Sequence, residues 1–349
     1  MNNAMTNVVL QRCLSRLTHA VVAGLAATML AGTARALEPV EIIVPFGPGG
    51  GADQVARHIA PLVQAATRAP VLVTNVPGAA GNDGIARLLT ARADGTRVAV
   101  LTSDTLSTLA YQNPRWNPAA VIPLAILMRQ TSALFVPTSG RFTTWQDFEK
   151  GARAQPRALK VAISGLGSPD FITLQQLAAK GIELTPLPLA NPKERYQAVL
   201  NGQADALYEQ PGDVRTFVAA KQMRPILIFG PAQPAAANAG VPTSGEIGLG
   251  NGFTQFRAIV VKAGTNPGVV SGLANAFMRA AAAPKFKAFL ETELAAADSF
   301  VAADGARTFI ERELTQMKEV VGGMPLPSQQ LADEKKLREP RLRDRSTSV

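Results

Sequence analysis

The chain has 349 residues, 17% of them charged and 5% aromatic, with a formal net charge of +9. This length is enough for two domains with a substantial core, and the composition excludes a disordered chain. The basic residues are scattered among acidic ones, and no basic helix face with interleaved aromatic residues is visible. We therefore expect no nucleic-acid partner and interpret the charge as a mild positive field that attracts small anions.

The N-terminus has the pattern of an export signal. Arg12 and Arg16 precede an apolar run at 20–31, and Ala34-Arg-Ala36 fits the small-residue cleavage rule. About a dozen apolar residues are too few to span a bilayer, so a membrane anchor is the less favoured interpretation. We predict a signal peptide at 1–36 and a periplasmic mature protein. The only cysteine, Cys13, lies inside this leader, so the mature chain would hold no disulfide, thiolate metal site or thiol nucleophile.

The first informative stretch is a strand, a glycine-rich loop and a helix start. Val40–Val44 is a short apolar run typical of a buried parallel strand. Prolines and glycines end it, and Asp53 stands where a helix N-terminus favours an acidic or capping residue. Backbone N–H groups in such a loop face a space that no side chain fills, with the positive end of a helix dipole behind them. The pattern predicts an anion site, with Phe46 as an apolar wall.

The same pattern occurs a second time. The strand Val71–Val76 leads into the loop Pro77–Asn82 and then into a helix carrying Ile85 and Leu88. If the two strands are adjacent and parallel, both loops meet at the carboxyl edge of the sheet, where open α/β sheets bind ligands. Together they could hold one carboxylate or the two ends of a diacid. The alternative is that the glycines form ordinary turns.

The pattern continues further along the chain. Arg97–Thr102 predicts a third strand, followed by Ser103 at a helix cap. Lys160–Ser164 predicts a strand that ends in a glycine turn with a hydroxyl at Ser168, which we interpret as the start of a second domain. Glu209 and Gln210 follow a strand of that domain and are candidates to face the cleft. A carboxylate at Glu209 would disfavour a second anion but would suit an amino group on the ligand.

A strand at Phe256–Val261 is expected to return to the first domain. The chain would thus cross twice between two α/β domains and form a hinge beside a cleft. The Ala- and Pro-rich segment 231–242 is expected to be a surface connection. We predict a discontinuous domain 1 at 37–138 plus 255–325, domain 2 at 139–254, and a charged, disordered tail at 326–349.

The sequence gives little support for a catalytic function. Outside the leader His58 is the only histidine, and no cysteine remains, so Ser–His–Asp, Cys–His and histidine metal sites are not expected. A Ser–Lys or paired-carboxylate enzyme is formally possible, although no motif indicates one. The segment Gly47–Ala52 loosely matches a dinucleotide loop, but Pro48 removes a backbone donor and Thr74–Val76 offers no acid for a ribose. We expect no cofactor and no metal.

Seven short motifs, in this order and spacing, carry a family resemblance. They are Val44–Asp53, Asn75–Asn82, Asp94-Gly95, Gly165–Ser168, Asn201–Asp205, Val241–Glu246 and Ala263–Pro267. From Glu41 to about Val321 the chain resembles the periplasmic solute-binding receptors of tripartite tricarboxylate transporters, the Bug-type receptors.

The resemblance implies a two-domain α/β periplasmic binding protein, type II-like, with a hinge and an interdomain cleft. It implies capture of a small carboxylate, an organic acid or amino acid, for membrane permease subunits, with no catalysis; we expect a monomer. By position, the amides of the loops and nearby hydroxyls would hold the ligand. With Phe46 and Gln210, the candidate binding residues are Gly49, Gly50, Gly51, Gly78, Ala79, Ala80, Asn82, Ser103 and Ser168.

The chain departs from the family pattern around the expected cleft. Thr74–Val76 replaces the usual Glu-Asn-Arg, Ala80 replaces a third glycine, Leu189–Asn191 replaces a Tyr-(Lys/Arg)-Gly, and Pro169-Asp170 stands where a histidine is common. These changes concern the ligand more than the fold. Two other functions remain open at this point: a lyase or isomerase acting on a carboxylate, and a ligand-sensing receptor for a membrane sensor.

Overall fold

The strands of the protein form two separate sheets. In the computed structural model, residues 38–111, 116–230, 240–250 and 252–322 are described. The predicted leader, the charged tail and most of the predicted surface connection lie outside these residues. The eleven strands of the described chain are β1 (Val40–Val44), β2 (Val71–Asn75), β3 (Arg97–Thr102), β4 (Val121–Gln130), β5 (Ser132–Pro137), β6 (Lys160–Ile163), β7 (Thr185–Pro188), β8 (Ala206–Glu209), β9 (Met223–Phe229), β10 (Gln255–Lys262) and β11 (Val301–Ala302).

The first sheet has six strands in the order β11-β4-β10-β3-β1-β2. Strand β1 pairs in parallel with both β2 and β3, as the repeated loop pattern predicts, so the loops after these strands leave the same edge. Strand β10 returns to this sheet as predicted and lies antiparallel between β3 and β4. The first residues of β10 therefore lie at the edge where β3 ends.

The second sheet has five strands in the order β7-β6-β8-β5-β9. Strand β6 is parallel to β7 and β8, whereas β5 is antiparallel to β8 and β9. Strand β5 follows β4 after one residue, so the chain changes sheets at Thr131. Because β5 lies within the range that we assigned to domain 1, a boundary near 131 suits the sheets better than one at 138. The division into domains itself stays a prediction.

Ten α-helices cover the two sheets in the described chain, with short 3-10 turns at Ala79–Gly81 and Pro118–Ala120. The sequence analysis missed the five-residue helix α7 and the two-residue strand β11, since neither is long enough to show periodicity. The helices are α1 (Gly51–Thr67), α2 (Asn82–Thr90), α3 (Ser103–Tyr111), α4 (Trp145–Ala154), α5 (Pro169–Ala179), α6 (Pro192–Leu200), α7 (Arg215–Ala219), α8 (Pro267–Ala282), α9 (Pro284–Thr292) and α10 (Ala303–Gly322).

Apolar side chains fill both faces of each sheet. On the first sheet, Ile42 points into a core with α1, α8 and α9, and the next residue, Ile43, points into the opposite core with α2, α3 and α10. This alternation follows from the two-residue period of a strand. Burial on both faces explains why the strands are continuous apolar runs. The second sheet is likewise covered by α4 and α5 on one face and by α6 and α7 on the other.

Helix α10 contacts the cores of both sheets. Phe309 and Ile310 in its first half pack in a core of the first sheet, whereas Met317 and Val321 in its second half pack in a core of the second. The apolar stripe of this helix therefore serves two sheets rather than one. None of the described helices combines the length and apolarity that a bilayer crossing needs.

Candidate functional site

The first glycine-rich loop is fixed by one buried carboxylate. Gly49 has φ +88° and donates its N–H to Oδ2 of Asp53 at 2.9 Å. The same carboxylate accepts hydrogen bonds from Arg57 Nε and from Asn75 Nδ2, the latter also bonding the Phe46 carbonyl. Burial alone would raise the pKa of Asp53, but these hydrogen bonds hold it below its usual value. Asp53 thus caps the helix from its third position, as expected, and joins the two loops through Asn75.

The second loop has an unusual backbone. Gly78, Ala79, Ala80 and Gly81 all have positive φ, at +146°, +46°, +52° and +90°. The N–H of Gly81 bonds the Gly78 carbonyl at 2.8 Å. No hydrogen-bond partner for the amides of Ala79 and Ala80 is found within the described chain. Left-handed alanines are costly and are typical of binding loops, where successive amides can converge on an anion.

A cleft between the two loops and the second sheet has two lobes, which share Phe46, Asp104, Ser164 and Ala190. The outer lobe, about 350 Å³, is the size of a small-ligand pocket, and the inner lobe is about 60 Å³. Almost all lining residues follow the carboxyl ends of parallel strands, as expected for an open α/β sheet. The outer lobe is also lined by Gly47, Pro77–Gly81, Gly165, Leu166, Ser168 and Pro188, and the inner lobe by Gly50–Ala52, Thr102, Asp170, Pro192, Arg195, Glu209, Gln210, Asp213 and Arg257.

The hydroxyl of Ser164 joins two carboxyl groups. Its Oγ lies 2.8 Å from Oδ1 of Asp104 and 2.7 Å from Oδ2 of Asp170, and its N–H also donates to Asp170 at 2.9 Å. Burial, and then the charge of Asp104, raises the pKa of Asp170 to about 7. Burial likewise raises the pKa of Asp104. No guanidinium contacts either carboxyl group in the described chain.

Two arginines also line the inner lobe. Arg195 donates from Nη2 to Oε2 of Glu209 at 2.7 Å, and both side chains are less than a tenth exposed. Arg257 donates to Gln130 at 3.0 Å and to Gln210 at 2.9 Å, with Oδ2 of Asp213 at 3.8 Å from Nη2. Burial and the neighbouring Glu209 raise the pKa of Asp213 to about 7.

The cleft brings together eight of the eleven candidate binding residues. Phe46 lines both lobes; Gly50, Gly51 and Gln210 line the inner lobe; Gly78, Ala79, Ala80 and Ser168 line the outer lobe. Ser168 is the N-cap of α5, and its hydroxyl is engaged by Gly165 and Phe171.

Three candidates do not line the cleft. Gly49 faces Asp53. Asn82 bonds Ala79, Thr108 and Trp116 and thereby supports the second loop from behind. The hydroxyl of Ser103 is directed to Gln255, while its neighbour Asp104 lines both lobes. His58 lies outside the cleft, exposed and stacked on Phe289 at 3.9 Å between ring centroids.

Apart from Glu209, the sequence analysis did not assign the buried charges of the inner lobe to the site. Asp104 stands directly after a predicted strand, next to Ser103, and could have been found by the same edge rule. Arg257 is a charged residue inside the apolar run of β10, which is also a signal, since charged residues are seldom buried without a partner. The sequence analysis names Asp170 only as a departure from the family pattern, and Asp213 carries no such signal.

The chain forms two helix-covered sheets and crosses between them twice, at 131 and between Phe229 and Gln255. Loops at the strand ends surround a cleft between the sheets, which is the architecture of periplasmic binding proteins. Residues 55–325 match the family described as "Tripartite tricarboxylate transporter family receptor". The chain belongs to this family of periplasmic solute-binding receptors.

Individual relatives support the same assignment. The Bordetella pertussis protein BugT is 24% identical over 254 residues, which is 71% of this chain and 77% of BugT. The structure of MatC from Rhodopseudomonas palustris with bound malate superposes with a TM-score of 0.73 at 22% identity, covering 81% of this chain and 98% of MatC. An R. palustris protein with adipate gives a TM-score of 0.74 at 22% identity, covering 81% and 96%. These two structures are similar to this chain in fold.

Proposed function

We propose that this chain is an exported receptor that captures a small carboxylate in the two-lobed cleft and presents it to the permease of a tripartite transporter. Closure of two domains, one around each sheet, would exclude water from the bound ligand. The observation that carries the proposal is the second loop, whose consecutive positive-φ residues line a cavity of about 350 Å³. Malate and adipate, carried by two structural neighbours, are carboxylates of a suitable size.

The outer lobe is suited to an anion because main-chain groups dominate it. Among the described residues that line it, Asp104 is the only charged one, and the remainder are glycine, alanine, proline and other uncharged residues. Helix α2 begins directly after the loop, so the positive end of its dipole lies behind the amides of Ala79 and Ala80. A carboxylate there would accept hydrogen bonds from amides that have no partner within the described chain.

A pair of matched variants tests this site. Both asparagine and aspartate tolerate left-handed backbone, so Ala80→Asn and Ala80→Asp should fold alike. A thermal-shift screen of mono-, di- and tricarboxylates and amino acids, followed by calorimetry, identifies a carboxylate that binds. We expect Ala80→Asp to weaken its binding by about tenfold or more relative to Ala80→Asn, because a carboxylate in the loop repels the ligand. Equal binding by both variants would mean that this loop does not hold the ligand.

Export and assembly are separate parts of the proposal. The leader at 1–36 would be removed on export, leaving Leu37 as the first residue of a monomer. Mass spectrometry of the protein from a periplasmic extract gives the mature N-terminus, and light scattering gives the oligomeric state. A retained leader would contradict cleavage on export, and a stable dimer would contradict the monomer. Neither result would bear on carboxylate capture, which the binding test decides.

A further inference from the structure

The inner lobe carries more carboxyl groups than cationic groups among the described residues. Four carboxyl groups line it, those of Asp104, Asp170, Glu209 and Asp213, against two guanidinium groups. Glu209 is matched by Arg195, with Nη2 and Oε2 2.7 Å apart. Arg257 is shared between two glutamine side chains and Asp213, and its Nη2 lies 3.8 Å from the Asp213 carboxylate. In the described chain no guanidinium lies within ion-pair distance of Asp104 or Asp170, and Arg257 and Arg195 attract the Asp104 carboxylate only from farther away.

The hydrogen bonds around Ser164 require an additional proton or cation. A hydroxyl has one hydrogen to donate, yet Ser164 Oγ lies within 2.8 Å of both carboxyl groups. If both were ionised, one would face the hydroxyl oxygen without a donor between them. Two buried carboxylates sharing a site cannot both keep their charge unless a positive group joins them.

A further buried oxygen of the inner lobe lacks a donor. Oδ1 of Asp213 has no hydrogen-bond partner among the described residues, although only 6% of that side chain is exposed. Buried polar atoms are almost always paired in folded proteins, so an unpaired oxygen on a residue of the inner lobe leaves a donor or a proton to be supplied. This atom does not belong to the Asp104–Ser164–Asp170 group and is an independent observation.

Extending the proposed capture of a carboxylate, on which this inference rests, we propose that the ligand is a zwitterion: its ammonium group enters the inner lobe and contacts Asp104, and its carboxylate binds the amides of the second loop. Asp104 is the counter-ion because it lines both lobes. Asp170 and Asp213 line the same lobe.

The size and chemistry of the lobe favour an ammonium group over other cations. A volume of about 60 Å³ is room for a group the size of a few water molecules, which admits an ammonium group. No group of three metal-ligating side chains exists in the described part of the chain. An ammonium group has three donors, enough for Asp104 and for further oxygens of the lobe.

The test compares pairs of compounds that differ only in the ammonium group. L-alanine with L-lactate, L-aspartate with L-malate, and 4-aminobutanoate with 4-hydroxybutanoate replace the ammonium by a hydroxyl. Calorimetry on the wild-type protein should show that the amino member of at least one pair binds about tenfold or more tightly, since hydrogen bonds to charged groups are the stronger ones. Asp104→Asn should remove that preference and leave the affinity for the hydroxy acid within about threefold.

The controls separate charge, folding and position. Asp304→Asn removes an equal charge from an exposed residue of α10 outside the cleft lining and should leave both affinities unchanged. Ser164→Ala keeps both carboxyl groups but removes the hydroxyl between them. It should reduce the preference less than Asp104→Asn does, and it keeps the test decisive if Asp104→Asn does not fold.

The outcomes distinguish this inference from the proposed function. Equal affinity within every pair, with binding still weakened by Ala80→Asp, would overturn the zwitterion and leave carboxylate capture standing. An unchanged preference in Asp104→Asn would overturn the assignment of Asp104. If putrescine, which has no carboxylate, bound and none of the paired compounds did, both the zwitterion and carboxylate capture would be contradicted. A failure of all six paired compounds to bind would also contradict both.

Discussion

Gly51 and Arg257 are packed so closely that a β-carbon at position 51 would displace the guanidinium group. A β-carbon at Gly51 would lie 2.6 Å from Nη2 of Arg257, 3.2 Å from its Cζ and 3.2 Å from Oδ2 of Asp213. The first glycine-rich loop and the first residues of β10 are far apart in sequence, yet the loop backbone is the wall against which the guanidinium rests. The glycine is therefore required for the position of a buried charge as well as for access to backbone amides.

We expect Gly51→Ala to displace Arg257 and to weaken ligand binding by about tenfold or more, with a stability loss of about 1–3 kcal/mol for an overpacked site. Calorimetry and urea unfolding measure the two effects. Gly245→Ala is the matched control, since Gly245 is exposed outside the cleft lining and a β-carbon there meets only Oγ1 of Thr243, at 3.8 Å. If Gly51→Ala binds and unfolds like Gly245→Ala, the close approach is not a constraint on the protein.

The neighbouring Gly50 tests access to the inner lobe. Its φ of −82° suits any residue, and a β-carbon there would meet only Cγ of Pro192 at 3.4 Å. Gly50→Ala should therefore be tolerated, whereas the longer side chain of Gly50→Leu should enter the lobe against the start of α6 and abolish binding without unfolding the protein. Thermal shift with an identified ligand compares the two variants. Retained binding in Gly50→Leu would show that the inner lobe is not used.

The sequence predicts the local parts of this site and misses the parts that the fold assembles. Strand, glycine loop and helix start are adjacent in the chain, so β1, β2 and their loops could be placed, and parallel pairing followed from the repeat. Asp104 lies in α3, Asp170 in α5 and Arg257 in β10. Their meeting depends on both chain crossings, which no spacing along the sequence encodes.

The second loop predicts an unusual stability change. Left-handed φ at Ala80 costs about 1–2 kcal/mol, more than the extra freedom that a glycine gives the unfolded chain, about 0.5–1 kcal/mol. Ala80→Gly should therefore stabilise the protein by up to about 1 kcal/mol in urea unfolding. Ala288→Gly, in the exposed middle of α9, should destabilise it by about 1 kcal/mol. Destabilisation by both variants would argue that the loop is not strained in solution.

The buried carboxyl groups predict a stability that falls with rising pH. Asp170 and Asp213 have a pKa of about 7 in the folded protein, against about 4 in an unfolded chain. Between these values the folded state keeps protons that the unfolded state has released, so the ligand-free protein should lose stability from pH 5 to pH 8, by at most about 1.4 kcal/mol per pH unit for each group.

Urea unfolding at several pH values measures this slope, and Asp170→Asn should make it shallower, since an amide does not titrate. Asp304→Asn, exposed and remote from the cleft, should keep the wild-type slope. A wild-type slope in Asp170→Asn would show that this carboxyl group does not carry the proton.

The ion pair between Arg195 and Glu209 should be costly to break from one side only. Both side chains are nearly inaccessible, 8% and 5% exposed, and Arg195 also donates to the Leu189 carbonyl at 2.9 Å. Arg195→Met leaves a buried carboxylate without its partner and should destabilise the protein by about 3–5 kcal/mol. The double variant Arg195→Met/Glu209→Met removes both charges and should recover most of that loss, because the desolvation of the pair offsets much of its attraction.

The exposed pair Arg141–Asp205, at 3.4 Å with 62% and 28% of the side chains accessible, supplies the comparison. Arg141→Met should cost less than about 1 kcal/mol, as is usual for surface pairs. If Arg195→Met costs no more than Arg141→Met in urea unfolding, the Glu209 carboxylate must find another partner or a proton when Arg195 is absent. If instead the double variant is no more stable than Arg195→Met alone, Arg195 stabilises the protein mainly through its hydrogen bonds to backbone carbonyls. Those carbonyls, in the connection between β7 and α6, would then be what holds Arg195 beside Glu209.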